Sequence, residues 1–259
     1  MRSAERQGSV GRSGRQSHEA EDEDDAARVD EAGDAAWSGV HAVSATAVMK
    51  KRRTRIGDED SARGCFPRRA DWATTPGMAA RSASDVAKRC LCIELLLQRL
   101  GLELDEEDAV EERDAVRRAW LSRLGQLGIE ETLLTDERAL LERPMDKLTE
   151  EECDQIERRV IGGLAFLWAL GRIPSPPAPD MLGEATGLFA EHGVLGDGSI
   201  SGAKAAVEGA QIRADEELSA VLAVHAKTKD ESFLGGPQHM VAALVVGALS
   251  WIAGNDIGA

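Results

Sequence analysis

Residues 149–171 read TEEECDQIERRVIGGLAFLWALG. Thr149 and Glu152 have the spacing of a capping box, in which each of the two side chains bonds a free backbone N–H at a helix start. From residue 160 to residue 170 the stretch carries no charge and is apolar on every side. A helix of this kind is covered by neighbours all round. The stretch therefore predicts a central helix with other helices packed around it.

Gly162 and Gly163 lie side by side in this predicted helix. Glycine destabilises a helix interior by about 1 kcal/mol relative to alanine. The pair therefore predicts a place where a neighbouring element approaches the central helix closely.

The composition agrees with a helical protein. Of the 259 residues, 42% are hydrophobic but only 3% are aromatic, and there is no Tyr. Sandwiches and barrels draw on aromatic and β-branched residues for their strands, so this composition disfavours them. Apolar residues recur at helical spacing from residue 85 onward. The pattern predicts an all-α fold, a single globular bundle of about six to eight helices over residues 85–259.

Three of the helices have recognisable ends. Asp85 is the predicted cap of the first helix and Gly101 its stop. Ser201 is the predicted start of one helix that continues to about Lys227. Pro237 suits the first position of the last helix, whose apolar run covers residues 240–253.

The first 84 residues differ from the rest. They contain no Leu and only twelve residues of the Val, Ile, Leu, Met, Phe and Trp set. Such a segment buries too little apolar area to offset its chain entropy, so residues 1–84 are a predicted disordered extension. Their 14 cationic and 14 acidic residues cancel, which leaves the whole net charge of -15 on residues 85–259.

A basic cluster within the extension, residues 50–55, has the composition of a nucleic-acid or localisation patch. The strongly acidic remainder would repel a polyanion, so nucleic-acid binding is not the favoured interpretation. No apolar run is long enough for a secretory signal or a membrane span, which predicts a cytoplasmic protein with free thiols at its four cysteines.

Catalytic signals are weak. Ser201 and Lys204 match the S-x-x-K spacing of serine acyltransferases, but helix capping by Ser201 is the favoured explanation of the serine. Cys90 and Cys92 would point in different directions on a helix, which favours core thiols over a metal site. No motif predicts a cofactor or a metal ion. If the protein is an enzyme, the first residues to inspect are Arg159, Glu157, His192 and His225.

Leu167-Trp168-Ala169-Leu170-Gly171 resembles the hallmark of a bacterial domain-of-unknown-function family, the one numbered 4272. The segment from Asp136 to Pro144 is similar to an acidic, leucine-containing segment of that family that ends in proline. The segment from Ala248 to Ile252 resembles its closing helix. The resemblance covers roughly residues 85–259 and implies an α-helical fold without implying a mechanism.

The chain departs from that family in one group of residues. The family has a Trp-Arg-x-Glu group before the central apolar run, and here only Arg159 matches it. Arg158 stands in place of the Trp and Ile161 in place of the Glu. If the missing polar pair serves a site in the family, that site is altered in this chain.

Two classes of function remain open. The favoured hypothesis is a helical domain that binds another protein, either a basic surface selected by the acidic charge or a second copy of itself. The alternative is a hydrolase or transferase whose polar residues converge only in the fold.

Overall fold

The computed structural model describes residues 80–105, 107–179, 185–196 and 198–255. This part of the chain contains eight α-helices and no strand, which confirms the predicted all-α fold. The helices are α1 (Ala83–Leu104), α2 (Val110–Leu127), α3 (Thr135–Glu142), α4 (Glu150–Ala169), α5 (Ala185–His192), α6 (Ile200–Glu208), α7 (Asp215–Glu231) and α8 (Pro237–Ile252). Among them, none has both the length and the apolar character that a bilayer crossing requires.

The predicted extension, residues 1–84, is tested only at its end. Residues 1–79 lie outside the described residues, and Ala83 and Ser84 already belong to α1.

The α4 helix is the central element. It packs against α1, α8 and α5, and every residue from Val160 to Ala169 is buried. Its start is the predicted capping box, in which the Glu152 N–H donates to Thr149 Oγ1 at 3.3 Å and the Thr149 N–H donates to the Glu152 carboxylate at 2.8 Å. Around this centre, α7 packs on α8, while α2 and α3 pack near α1.

The glycine pair of α4 faces two different neighbours. A Cβ on Gly163 would lie 2.6 Å from Phe189 Cζ of α5 and 3.1 Å from Ile93 Cδ1 of α1. A Cβ on Gly162 would lie 3.6 Å from the nearest atoms of Leu244 on α8, which is ordinary contact. The predicted close approach is therefore confirmed, and its tightest point is at Gly163.

Alanine at the two positions should have opposite effects. Gly163→Ala should lower the free energy of unfolding by about 1–3 kcal/mol because Phe189, which is fully buried, has little room to move. Gly162→Ala should be neutral or stabilising by up to about 1 kcal/mol because alanine favours the helix. Urea denaturation followed by circular dichroism measures both, and equal effects would contradict the close contact at Gly163.

The ends of α1 differ from the prediction. Ser82, not Asp85, is the N-cap, because its hydroxyl accepts the Asp85 N–H at 3.1 Å while the Asp85 carboxylate accepts the Ser82 N–H. Gly101 does not end the helix. The helix continues to Leu104, and burial of Leu102 stabilises this additional turn.

The predicted single helix from Ser201 to Lys227 is also wrong. Ser199 is the N-cap of α6, its hydroxyl accepting the Gly202 N–H, and residues 209–214 separate α6 from α7. The break is held by Arg213, whose backbone N–H donates to Ala169 O and whose Nε donates to Trp168 O, both at 2.8 Å. Its guanidinium lies 5.2 Å from the centre of the Trp168 ring. Arg213 thus caps the end of α4 instead of continuing a helix.

Candidate functional site

A buried ion cluster joins three helices. Both terminal nitrogens of Arg89 on α1 donate to the carboxylate of Glu137 on α3 at 2.5 Å. Arg159 on α4 bonds the same carboxylate and also Asp136. The Leu134 N–H donates to Glu137 at 3.1 Å, and Glu137 is fully buried. The Glu137 carboxylate therefore bridges two guanidiniums at the junction of α1, α3 and α4, and Asp136 supplies the second negative charge.

The charge state of Glu137 follows from these partners. Burial alone would raise the pKa of Glu137, but the bonds and charge of Arg89, together with the charge of Arg159, lower it below the usual value. The carboxylate is thus ionised and fully engaged. The cluster holds helices together, and Arg159, one of the residues predicted for a site, takes part in it.

Three more arginines bond the chain that links α3 to α4. Arg99, which is fully buried, donates to the carbonyls of Arg143 and Pro144 at 3.2 Å. Arg117 donates to the carbonyl of Glu142 at 2.8 Å, and Arg113 pairs with Asp146 at 3.1 Å. Because a guanidinium offers five N–H donors in a fixed fork, each arginine satisfies several acceptors at once.

Arg89, Arg99, Arg113 and Arg117, which we call the inward arginines, bond groups inside the fold and so leave the surface with few cations. Among the described residues, nineteen Asp and Glu side chains are exposed, against five Lys and Arg. The exposed cations are Arg118, Lys147, Arg158, Lys204 and Lys227. The exposed anions are Asp85, Glu107, Asp108, Glu111, Glu112, Glu130, Glu131, Asp136, Glu142, Asp146, Glu150, Glu151, Glu191, Glu208, Asp215, Glu216, Glu217, Asp230 and Glu231. The acidic character of the domain is therefore concentrated on its outer surface.

A group of four exposed carboxylates lies at the start of α2. Glu107, Asp108, Glu111 and Glu112 are exposed there around Val110, whose side chain is 40% exposed. The next cation along the chain, Arg113, is buried and donates to the carbonyl of Leu102 at 2.8 Å. We call these five residues, four carboxylates and Val110, the α2 acidic patch.

A second buried carboxylate, Glu94 of α1, contacts the turn that follows α5. It accepts the Leu195 N–H at 3.0 Å, and a Cβ on Gly193 would collide with it. Burial raises the pKa of Glu94 to about 7, against the opposing effects of the Leu195 and Val194 N–H groups and the charge of Arg172. Arg172 itself donates to the Gly193 carbonyl at 2.5 Å.

The other residues predicted for a catalytic site lie on three different helices. His192 is half-buried at the end of α5, its ring 3.7 Å from Glu191 Oε1. His225 is buried on α7, where burial lowers its pKa against the smaller effect of its bond with the Pro177 carbonyl. Glu157 is half-buried on α4, two residues before Arg159, so their side chains leave the helix in different directions.

The remaining chemical candidates take ordinary structural places. Cys90, Cys92 and Cys153 are buried free thiols, as predicted, and burial raises the pKa of Cys92 to about 12. Cys65 lies outside the described residues. The Ser201 hydroxyl donates to the Ser199 hydroxyl at 3.3 Å. Within the described ranges, no three metal-ligating side chains converge.

Sequence reasoning missed the inward arginines, although α2 carries a signal for them. Its buried face consists of Arg113, Arg117, Trp120, Leu124 and Leu127, at alternating spacings of four and three residues. Two arginines thus continue an apolar face. Glu94 has a similar signal, since it is the single charge in the apolar run from residue 90 to residue 97.

Comparison of the chain with protein-family models, with curated proteins and with solved structures found no match. The resemblance to the domain-of-unknown-function family therefore stays a prediction.

Proposed function

We propose that this helical domain binds a partner protein through its acidic surface, and that the partner presents a basic surface. The observation that carries the proposal is the contrast between nineteen exposed carboxylates and five exposed cations in the described residues. Complementary charge speeds encounter and selects among partners, and like charge rejects nucleic acid.

The α2 acidic patch is the part of this surface that we assign to the partner. Val110 lies between these carboxylates in the sequence and is 40% exposed, so an apolar contact is available beside the charged group. Interfaces gain most of their affinity from a desolvated centre, whereas charges at the rim set specificity and encounter rate. We expect a basic partner segment to lay an apolar side chain on Val110 and its cations on the surrounding carboxylates.

The proposal predicts a salt-dependent interaction. The full chain, immobilised and incubated with a lysate of its own host, should retain basic proteins at about 50 mM salt and lose most of them at about 500 mM, because salt screens exposed charges. A variant with Glu107→Gln, Asp108→Asn, Glu111→Gln and Glu112→Gln should retain at least about tenfold less of the same proteins. Quantitative mass spectrometry measures the retained amounts.

A matched control separates the patch from the overall charge. Glu130→Gln, Glu131→Gln, Glu150→Gln and Glu151→Gln remove the same charge from exposed positions elsewhere. This control should keep most of the binding. Retention that neither salt nor the patch variant changes would refute the proposal.

We further propose that the protein works in the cytoplasm, since buried free thiols at Cys90, Cys92 and Cys153 fit a reducing compartment. The bonds that the structure describes for Arg159, His192 and His225 go to different partners, so they favour protein binding over the alternative of a hydrolase or transferase.

A further inference from the structure

The outward side of α7 has the spacing of a helix-pairing seam. Glu217, Ala220, Val224, Lys227 and Glu231 recur at intervals of three and four residues, and all five are exposed. The opposite side of α7 carries the buried Leu218 and His225, and α7 packs on α8. Alternating intervals of three and four place side chains in one line along a helix, as in helix pairs that share a seam. We call these five residues the α7 seam.

The centre of the seam is small and apolar. Val224 is 62% exposed, and among the large hydrophobic residues described only Phe233 and Leu234 are more exposed, at 85% and 71%. Ala220, one turn before Val224, lets another helix approach closely. Apolar exposure of this degree is therefore concentrated on α7 and the turn that follows it.

The charges on the seam distinguish between the possible occupants. Glu217 lies one turn before the apolar centre and Lys227 one turn after it. A uniformly basic partner would match Glu217 and Glu231 but would meet a like charge at Lys227. A parallel second copy would place Glu217 against Glu217 and Lys227 against Lys227. In an antiparallel pair centred near residue 222, Glu217 faces Lys227 and Ala220 faces Val224, so the charges on either side of the apolar centre are complementary.

We propose that the α7 seam binds the α7 seam of a second copy of this chain in antiparallel orientation. The ion pairs that Glu217 and Lys227 make within one copy leave both seam side chains largely exposed. Glu217 is 55% exposed beside the half-buried Arg213 at 3.2 Å, and the Lys227–Glu231 pair at 3.9 Å is exposed on both sides and weak. The site is separate from the α2 acidic patch and does not depend on the proposed function.

Phe233 and Leu234 add the apolar area that the seam lacks. Each side of a stable interface buries about 800 Å². The 17 residues of α7 form a seam only about 26 Å long, which supplies part of that area. An antiparallel pair places the end of α7, followed by Phe233 and Leu234, beside the start of the partner's α7.

Charge exchange on the full chain tests the proposal. In analytical ultracentrifugation the unaltered chain should dimerise, and Glu217→Lys and Lys227→Glu alone should each raise the dimer Kd at least about tenfold by opposing like charges. The double variant should return Kd to within about threefold of the original value. Glu217→Lys makes the chain less negative and Lys227→Glu makes it more negative, so overall repulsion cannot produce the same effect in both.

Control variants use the same charge changes on α6. Glu208→Lys and Lys204→Glu, both at exposed positions, should leave Kd unchanged. Val224→Glu should yield a monomer with unchanged circular dichroism, since its side chain is already largely exposed in one copy. A chain that stays monomeric up to about 1 mM, or a double variant that dimerises no better than the single variants, overturns the proposal.

Discussion

Glu137→Gln should lower the free energy of unfolding by about 3–5 kcal/mol, the usual effect of removing one partner from a buried ion pair. Glutamine has nearly the shape of glutamate but no charge, so Arg89 and Arg159 keep their positions and lose the shared anion. The loss is large because Arg89 and Glu137 are largely shielded from solvent. Urea denaturation at pH 7, followed by tryptophan fluorescence, gives the value.

The matched control for this prediction is Glu142→Gln on the same helix. Glu142 is exposed and lies 3.8 Å from Arg138, so its loss should cost less than about 0.5 kcal/mol. The effect at Glu137 should also depend on pH. Its pKa is lower in the folded chain than in the unfolded one, so its contribution is complete above the unfolded value and is lost as pH falls through the folded value. Equal losses in the two variants would show that the cluster does not stabilise the fold.

The contribution of Glu94 to the free energy of unfolding should depend on pH in the opposite direction to that of Glu137. Its pKa is about 7 in the folded chain and near 4.5 in the unfolded chain. Between these values the unfolded carboxyl loses its proton and the folded one keeps it, so the free energy of unfolding falls as pH rises. The decrease from pH 4.5 to pH 7 should be about 3 kcal/mol, and above pH 7 this contribution stays constant.

Glu94→Gln removes this dependence. The difference in unfolding free energy between the variant and the original chain should shift by about 3 kcal/mol in favour of the variant between pH 4.5 and pH 8. The same pH profile for the Glu94 variant and the original chain would rule out a buried protonated carboxyl.

The sequence pattern predicted the helices well where local chemistry decides. The capping box at Thr149, the apolar run of α4 and the glycine pair depend on residues that are neighbours along the chain. The prediction for residues 201–227 failed because a distant residue decides where the helix breaks. The break between α6 and α7 depends on Arg213 reaching Trp168 and Ala169, which lie more than forty positions earlier. A helical pattern in residues 201–227 contains no information about that contact.

For the candidate site, too, the sequence identifies single residues but not their distant partners. Arg159 is predicted from the sequence, but its partners Glu137 and Asp136 are more than twenty positions away and meet it only in the fold. The exposed excess of carboxylates was also only partly predictable. Net charge gives the difference between cations and anions, whereas the inward direction of the arginines depends on backbone carbonyls that a sequence does not display.

The inward arginines separate the stability of the fold from the charge of its surface, two properties that surface ion pairs often couple. The bonds of Arg89, Arg99, Arg113 and Arg117 hold the fold from within, and most exposed carboxylates take no part in those bonds. Point mutations could therefore reverse the sign of the outer charge one residue at a time, while the interior stayed intact. During evolution, a protein with this architecture can exchange one class of partner for another while every intermediate variant stays folded.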